Sequence, residues 1–346
     1  MKKFTLIPFL LLAFLGFSQS QFVVQNGTAA VYSNINDALT AADNGDTIYV
    51  PGSSFALSNT TIDKTLHWIG TGHYPGYTNA TGVSRITSDL TFTGNCDGSS
   101  FEGIYFTGDL NFGSSDNETE NLLFKRCRID GTLTLRTITS DNPDIGTYIT
   151  ECVLKNIDGQ NGSNCVVEKS LIFGAIIDFY QSLFNHNSHT PSERGYYNRE
   201  TISHCVSCTF TNNIFAAYSG LYDGTSSCVL NYNLFKGSSG SIADFSTERY
   251  DNTGSNNIFD VSEDEIFEKI TGDMWIFSYD NDYHLKTGCP GIGAASDGTN
   301  IGIYGSSKPC KEGAVPFYPH ITQFEIDNEA GNGQLGVSIK VEAQDH

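Results

Sequence analysis

The stretch from Asn185 to His204 concentrates side chains that could bind or process a sugar. Its imidazoles, guanidiniums and phenols are His186, His189, Arg194, Tyr196, Tyr197, Arg199 and His204. Phenol rings stack on the apolar side of a pyranose, while the cationic groups and imidazoles bond its hydroxyls or an acidic substituent. The same groups could neutralise a uronate carboxylate and remove the proton beside it, as a polysaccharide lyase must. These residues are therefore glycan-binding candidates, with an ordinary polar surface loop as the alternative.

The overall charge limits the partners that the chain can take. The formal net charge is -20, which repels nucleic acid and anionic lipid. The segment around Arg194 and Arg199 is locally basic, so an anionic sugar could still approach there. We expect a polysaccharide or surface glycan as partner and no nucleic acid.

Two sequence patterns resemble parts of metal-binding motifs, and neither motif is complete. Cys205 and Cys208 have the spacing of a zinc pair, but no second pair lies at zinc-ribbon distance. Asp280-Asn281-Asp282 lacks the alternating oxygen ligands of a calcium loop. We predict no metal site and no cofactor, with calcium kept as an open possibility that no full motif supports.

An internal repeat shows which elements must position these residues. Residues 208–215 match residues 228–235 at a distance of 20, and Asn256-Asn257-Ile258-Phe259 repeats the last half. A drifting period near this length is typical of a β-solenoid, whose coils bury their apolar faces by stacking. Like residues should then form columns, which we predict to be Phe215, Phe235 and Phe259; Asn213, Asn233 and Asn257; and Cys127, Cys152, Cys208 and Cys228. The asparagines should occupy left-handed turn positions and bond the next coil.

The amino-terminal region predicts export and a cap. Met1-Lys2-Lys3 precedes an apolar run that is too short to span a bilayer, so we expect residues 1–20 to be a signal peptide cleaved after Ser20. No later segment is apolar enough to span a membrane. A short helix with its apolar face at Ile35, Ala38, Leu39 and Ala42 should cover the open end of the solenoid.

The chain resembles the pectate-lyase-like superfamily of right-handed parallel β-helices, in particular its secreted bacterial members. The resemblance rests on an entry, Ile35–Leu39 through Gly45–Val50, and an exit, Asp282–Leu285 through Pro290–Gly293 and Asp297–Gly305. It implies an all-β fold, a parallel β-helix over residues 21–310. Residues 311–346 alternate in polarity around Gly331-Asn332-Gly333 and predict a C-terminal hairpin that caps or extends the solenoid.

The resemblance does not decide activity. Polygalacturonase-like members use clustered Asp with Gly-His-Gly and Arg-x-Lys segments, and this sequence has none of these. We therefore expect a secreted or cell-surface protein that binds carbohydrate or another surface partner without assigned catalysis. The alternatives are a lyase acting on a uronate-containing glycan and a purely structural surface protein. Related exits imply non-cysteine residues where Cys289 and Cys310 stand, so finding cysteine at both predicts a disulfide between them.

Overall fold

The chain folds as a right-handed parallel β-helix with a helix at its amino end and a hairpin at its carboxyl end. The computed structural model describes residues 21–113, 119–135, 145–190, 202–216, 224–237, 251–316, 319–327 and 334–343. The sequence prediction of the fold class is confirmed. The predicted signal peptide, residues 1–20, lies outside the described residues.

The first face is a sheet of twelve described strands, parallel from its third strand onward. Its members, in spatial order apart from the exchanged first two, are β1 (Phe22–Asn26), β2 (Thr28–Tyr32), β3 (Asp46–Tyr49), β6 (Leu66–Ile69), β9 (Ser100–Glu102), β12 (Leu123–Lys125), β14 (Tyr148–Thr150), β16 (Val166–Glu168), β19 (Leu183–Asn185), β22 (Thr209–Thr211), β24 (Val229–Asn231) and β26 (Thr253–Ser255).

The second and third faces share two long strands that bend from one face to the other. The second face contains β4 (Ser53–Phe55), β7 (Ser84–Ile86), β10 (Tyr105–Phe106), β13 (Arg128–Thr134), β15 (Val153–Ser163), β17 (Leu171–Ile172), β20 (Ser188–His189), β23 (Ile214–Phe215) and β25 (Leu234–Phe235). The third contains β5 (Thr61–Ile62), β8 (Leu90–Phe92), β11 (Leu110–Phe112), the later parts of β13 and β15, β18 (Ile176–Tyr180) and β21 (Ile202–Ser203).

The amino end is covered as the sequence predicts. β1 and β2 pair antiparallel, and helix α1 (Ile35–Ala41) follows them. Asn34 caps the helix, because its side chain accepts a hydrogen bond from the backbone N–H of Asp37. Ile35 and Ala38 are buried, so the helix closes an end of the solenoid that would otherwise expose the core.

Aromatic and aliphatic side chains stack on their counterparts in the interior. Phe215 and Phe235 are paired in register, with ring centroids 4.8 Å apart, and Phe235 stacks on Phe259 at 5.2 Å. On the first face, the rings of Phe101 and Phe124 stack at 4.9 Å. The predicted phenylalanine column is confirmed.

The predicted asparagine column also exists, and it continues further upstream than the repeat suggests. Each side-chain oxygen accepts from the backbone N–H of the preceding coil, as Asn233 does from Asn213 at 2.9 Å. The ladder runs through Cys127, Cys152, Ser170, Asn187, Asn213, Asn233 and Asn257. The left-handed backbone falls one residue earlier than predicted, at Asn212, Tyr232 and Asn256.

The predicted single cysteine column is wrong, because the four cysteines occupy two columns. Cys127 and Cys152 follow first-face strands and belong to the asparagine ladder. Cys208 and Cys228 precede first-face strands. There the Cys228 sulfur accepts a hydrogen bond from the backbone N–H of Cys208, and the Asn252 side-chain oxygen accepts one from the backbone N–H of Cys228. Both turns need a small buried side chain that accepts a hydrogen bond from the neighbouring coil. The local sequence around cysteine therefore looks alike at two different corners.

Beyond the coils lie a short helix and two separate hairpins. Helix α2 (Glu263–Ile266) leads into β27 (Phe267–Lys269), which pairs antiparallel with β28 (Asp282–Leu285). A 3-10 turn covers Glu312–Ala314. The predicted C-terminal hairpin is present as β29 (His320–Ile326) and β30 (Val337–Glu342), and among the described residues it forms a two-stranded sheet of its own.

Candidate functional site

A return segment, residues 296–316, lies along one corner of the solenoid and contacts successively earlier coils. After each first-face strand from β9 onward the next residue adopts left-handed backbone geometry, and these corner residues include Arg126, Glu151, Lys169, His186, Asn212 and Tyr232. Asn212 accepts from the N–H of Ser296 and, through its carbonyl, from that of Gly302. Earlier coils follow in order: Glu151 accepts from the N–H of Lys311 at 3.1 Å, and Arg126 donates to the Val315 carbonyl at 2.6 Å.

Glycine allows the return segment to approach this corner closely. A Cβ on Gly305 would lie 2.4 Å from Nδ1 of His186. Gly302 has a φ of +91°, and a Cβ there would lie 2.4 Å from the Ile214 side chain. Larger residues at either position would push the segment away from the coils. The segment therefore has a fixed path, and its side chains have defined positions against the solenoid.

A groove of about 590 Å³ lies where the return segment meets three coils of the first face. We call it the lysine groove, because its lining includes Lys125, Lys169, Lys308 and Lys311. Tyr148, which is 37% exposed, supplies an aromatic surface beside them. Lys125 ends strand β12, Lys169 is a corner residue, and the other two lysines belong to the return segment. The groove is thus assembled from parts of the chain far apart in sequence.

The lysine groove is cationic on a protein whose formal charge is -20. Five of its lining residues are cationic, Arg126 included, and two are carboxylates, Glu151 and Glu168. Glu151 accepts from Nε of the fully buried Arg126 at 3.1 Å, and Glu168 accepts from Lys169 at 2.9 Å. Cationic side chains thus outnumber carboxylates by five to two in the lining, so the groove has a net positive charge that can attract an anion.

A second cavity of about 270 Å³ adjoins the groove and shares Glu151, Lys169, Cys310 and Lys311 with it. We call it the tyrosine cleft, because its lining includes Tyr74, Tyr77, Tyr279, Tyr283 and Tyr304. His284 stacks on Tyr304 with ring centroids 3.7 Å apart, and Asp282 accepts from Nδ1 of His284 at 2.7 Å. Tyr77 is 48% exposed and donates to Glu312 at 3.1 Å.

The tyrosines of the cleft are poor bases. Burial raises the pKa of Tyr304, Tyr283 and Tyr279, and burial together with the Glu312 hydrogen bond raises that of Tyr77. These phenols therefore stay protonated near neutral pH and can donate hydrogen bonds. Burial also lowers the pKa of Lys125.

Three of the seven glycan-binding candidates chosen from the sequence are described, and they line neither the lysine groove nor the tyrosine cleft. Arg194, Tyr196, Tyr197 and Arg199 fall in residues 191–201, which the structure does not describe. His186 is a corner residue beneath the return segment, with Nδ1 3.3 Å from the Gly302 carbonyl.

The other two candidate histidines have different neighbours. His189 is 1% exposed and its Nε2 lies 2.7 Å from the Gly174 carbonyl. His204 is exposed, with Nδ1 3.6 Å from Asp178. His186 and His189 are both buried, and the hydrogen bonds of their rings are with backbone carbonyls of the protein itself.

The two cysteines of the predicted Cys289–Cys310 disulfide are not bonded to each other in the structure. Both residues are free thiols. Cys289 lies near Gly291, whereas Cys310 belongs to the return segment beside the groove and the cleft. Burial raises the pKa of Cys289, and raises that of Cys310 to about 12, so both are unreactive as thiolates.

Within the described ranges, no group of three or more histidine, cysteine or acidic side chains is arranged to hold a metal ion. Asp282, part of the incomplete calcium pattern, instead orients His284. In the same part of the chain, no helix has both the length and the apolarity needed to cross a bilayer.

No protein-family model matches the chain, and a search of curated proteins gives no match either. The geometry of the lysine groove and the tyrosine cleft therefore carries the functional inference.

Proposed function

We propose that the protein is exported and binds an acidic polysaccharide in the lysine groove. The observation that carries the proposal is the collection of four lysines and Tyr148 in one groove of a strongly acidic chain. Lysine charges attract carboxylate or sulfate groups, and a tyrosine face can stack on a pyranose ring. Export is supported by the basic start and short apolar run of residues 1–20.

The outer face of the solenoid suits an extended polymer. Successive coils are about 4.8 Å apart, so a chain lying along the axis meets a new row of side chains at each step. Lys125, Tyr148 and Lys169 come from three consecutive coils. A polymer with acidic groups at regular intervals could therefore contact several of these side chains at once, which a single anion could not.

The proposal is tested by calorimetric titration with acidic and neutral oligosaccharides of equal length. We expect binding of the acidic set, at least tenfold weaker binding of the neutral set, and loss of most acidic affinity in Lys169→Gln/Lys311→Gln. Lys155→Gln/Lys269→Gln is the charge-matched control, because neither lysine lines the groove. Equal affinity for acidic and neutral sugars, or equal losses in the two variants, would refute the proposal.

A uronate lyase is the second candidate, and Lys125 is the observation that favours it. An amine whose pKa is lowered by burial loses its proton more readily and can act as a base. Incubation with uronate polysaccharides separates the two functions, since elimination creates an unsaturated product that absorbs in the ultraviolet. Binding without new absorbance supports the leading proposal, and a rise in absorbance that Lys125→Gln abolishes supports the lyase.

A further inference from the structure

The tyrosine cleft has a different chemical character from the groove beside it. Apart from the residues shared with the groove, its polar lining includes the carboxylates Asp282 and Glu312 and the amide of Asn281. Both carboxylates are substantially exposed, at 48% and 59% of their side chains. Tyr77 offers an exposed ring next to Glu312.

This lining favours a neutral sugar residue over an acidic one. Hydroxyl groups donate to carboxylate and amide oxygens, and aromatic rings accept the apolar side of a pyranose. A uronate placed beside Asp282 and Glu312 would meet like charges instead, which costs free energy. The shared Lys169 and Lys311 lie at the boundary with the groove, so cationic charge is concentrated on one side of the cleft.

The volumes of the two cavities, and the fact that they adjoin, limit how many sugar rings each can hold. The cleft, at about 270 Å³, is just below the roughly 300 Å³ at which pockets for drug-sized ligands begin, so we assign it one sugar ring. The groove is about twice as large, at 590 Å³. Four residues line both cavities, so rings bound in the cleft and in the groove would be neighbours in one chain.

We propose that the cleft and the groove are adjoining subsites for a heteropolysaccharide, with a neutral residue in the tyrosine cleft and an acidic residue in the lysine groove. The inference rests on the proposed function and narrows it. The ligand class is a glycan in which acidic and neutral residues alternate or branch, as opposed to a uniform polyuronate. Tyr77 is the specificity-determining residue for the neutral ring.

The experiment compares an all-uronate tetrasaccharide with alternating uronate–neutral tetrasaccharides, using glucose, galactose, rhamnose or N-acetylglucosamine as the neutral residue. We expect at least one alternating ligand to bind about tenfold or more tightly than the all-uronate ligand, although it carries half the charge. Tyr77→Ala should remove that preference and leave the affinity for the all-uronate ligand within twofold. Tyr77→Phe, which keeps the ring, should retain most of the preference.

The outcomes separate this inference from the proposed function. If the all-uronate ligand binds as tightly as every alternating ligand, or if Tyr77→Ala weakens both classes equally, the two-subsite inference is wrong while acidic-glycan binding stands. If neither class binds, the proposed function itself fails. Retained binding of the all-uronate ligand also shows that the Tyr77 variants are folded.

Discussion

Replacing Phe235 by alanine tests the stacking register of the coils, which determines which side chains line the lysine groove. Phe235 is 2% exposed and lies between the rings of Phe215 and Phe259, with centroid distances of 4.8 and 5.2 Å. Burying a phenylalanine contributes about 1.5–3 kcal/mol, and each ring pair adds about 0.5–1.5 kcal/mol. With the cavity left behind, Phe235→Ala should lower the free energy of unfolding by about 3–5 kcal/mol.

The loss is measured by urea unfolding followed by circular dichroism. Val229→Ala is the control, since Val229 lies on the outer side of the same coil and is 36% exposed, so its loss should stay within about 0.5 kcal/mol. A loss below about 1 kcal/mol for Phe235→Ala would show that the ring is not packed between two others. The coil register, and with it the composition of the lysine groove, would then be wrong.

Three further predictions concern the ladder, the thiols and acid stability. Asn233→Ala should lower the free energy of unfolding in urea by about 2–4 kcal/mol, because the fully buried amide of Asn233 has buried partners that would lose their hydrogen bonds. A loss below about 0.5 kcal/mol, as expected for an exposed residue, would contradict the ladder. Alkylation in denaturant without reductant, followed by peptide mapping, should find Cys289 and Cys310 separately modified, and a joined peptide would contradict the free thiols. Burial lowers the pKa of His189 from 6.5 to about 4, so the unfolded chain takes up a proton first and stability should fall as pH drops from 6.5 towards 4. His189→Gln, whose amide can still donate to Gly174, should flatten that part of a melting-temperature profile, and an unchanged slope would count against the buried neutral imidazole.

The repeat in the sequence was enough to predict the fold because stacking coils forces like residues into columns. The match between residues 208–215 and 228–235 is a match of structurally equivalent strands. The same approach failed for Cys127 and Cys152, where only a cysteine with an apolar residue two positions later supported the alignment. Two corners of each coil need a small hydrogen-bond acceptor, so the residue type alone could not say which corner it occupied.

The candidate site was harder to predict because it is formed by residues distant in sequence. Lys125, Lys169 and Lys311 have no shared motif, and they come together only because the return segment lies along the corner of the coils. The sequence signal that could have located the site is the repeat of the coils. Each corner residue follows a first-face strand at the same position in its coil and has left-handed backbone geometry. Correct coil boundaries upstream of residue 170 would have placed Lys125 and Lys169 on the same side of the solenoid, two coils apart. The glycan-binding prediction for residues 191–201 stays a prediction.

The salt dependence of acidic-glycan binding distinguishes binding in the lysine groove from binding elsewhere on the protein. The dissociation constant for an acidic oligosaccharide is measured between low and high ionic strength for the parent protein and for Lys125→Gln/Lys169→Gln/Lys308→Gln/Lys311→Gln. Lys155→Gln/Lys269→Gln/Lys286→Gln/Lys340→Gln removes the same charge outside the groove. Because screening weakens charge attraction, we predict that parent and control lose affinity steeply with salt, while the groove variant binds weakly at every salt concentration. Parent-like affinity and salt dependence in the groove variant would contradict the assignment of the lysine groove as the binding site.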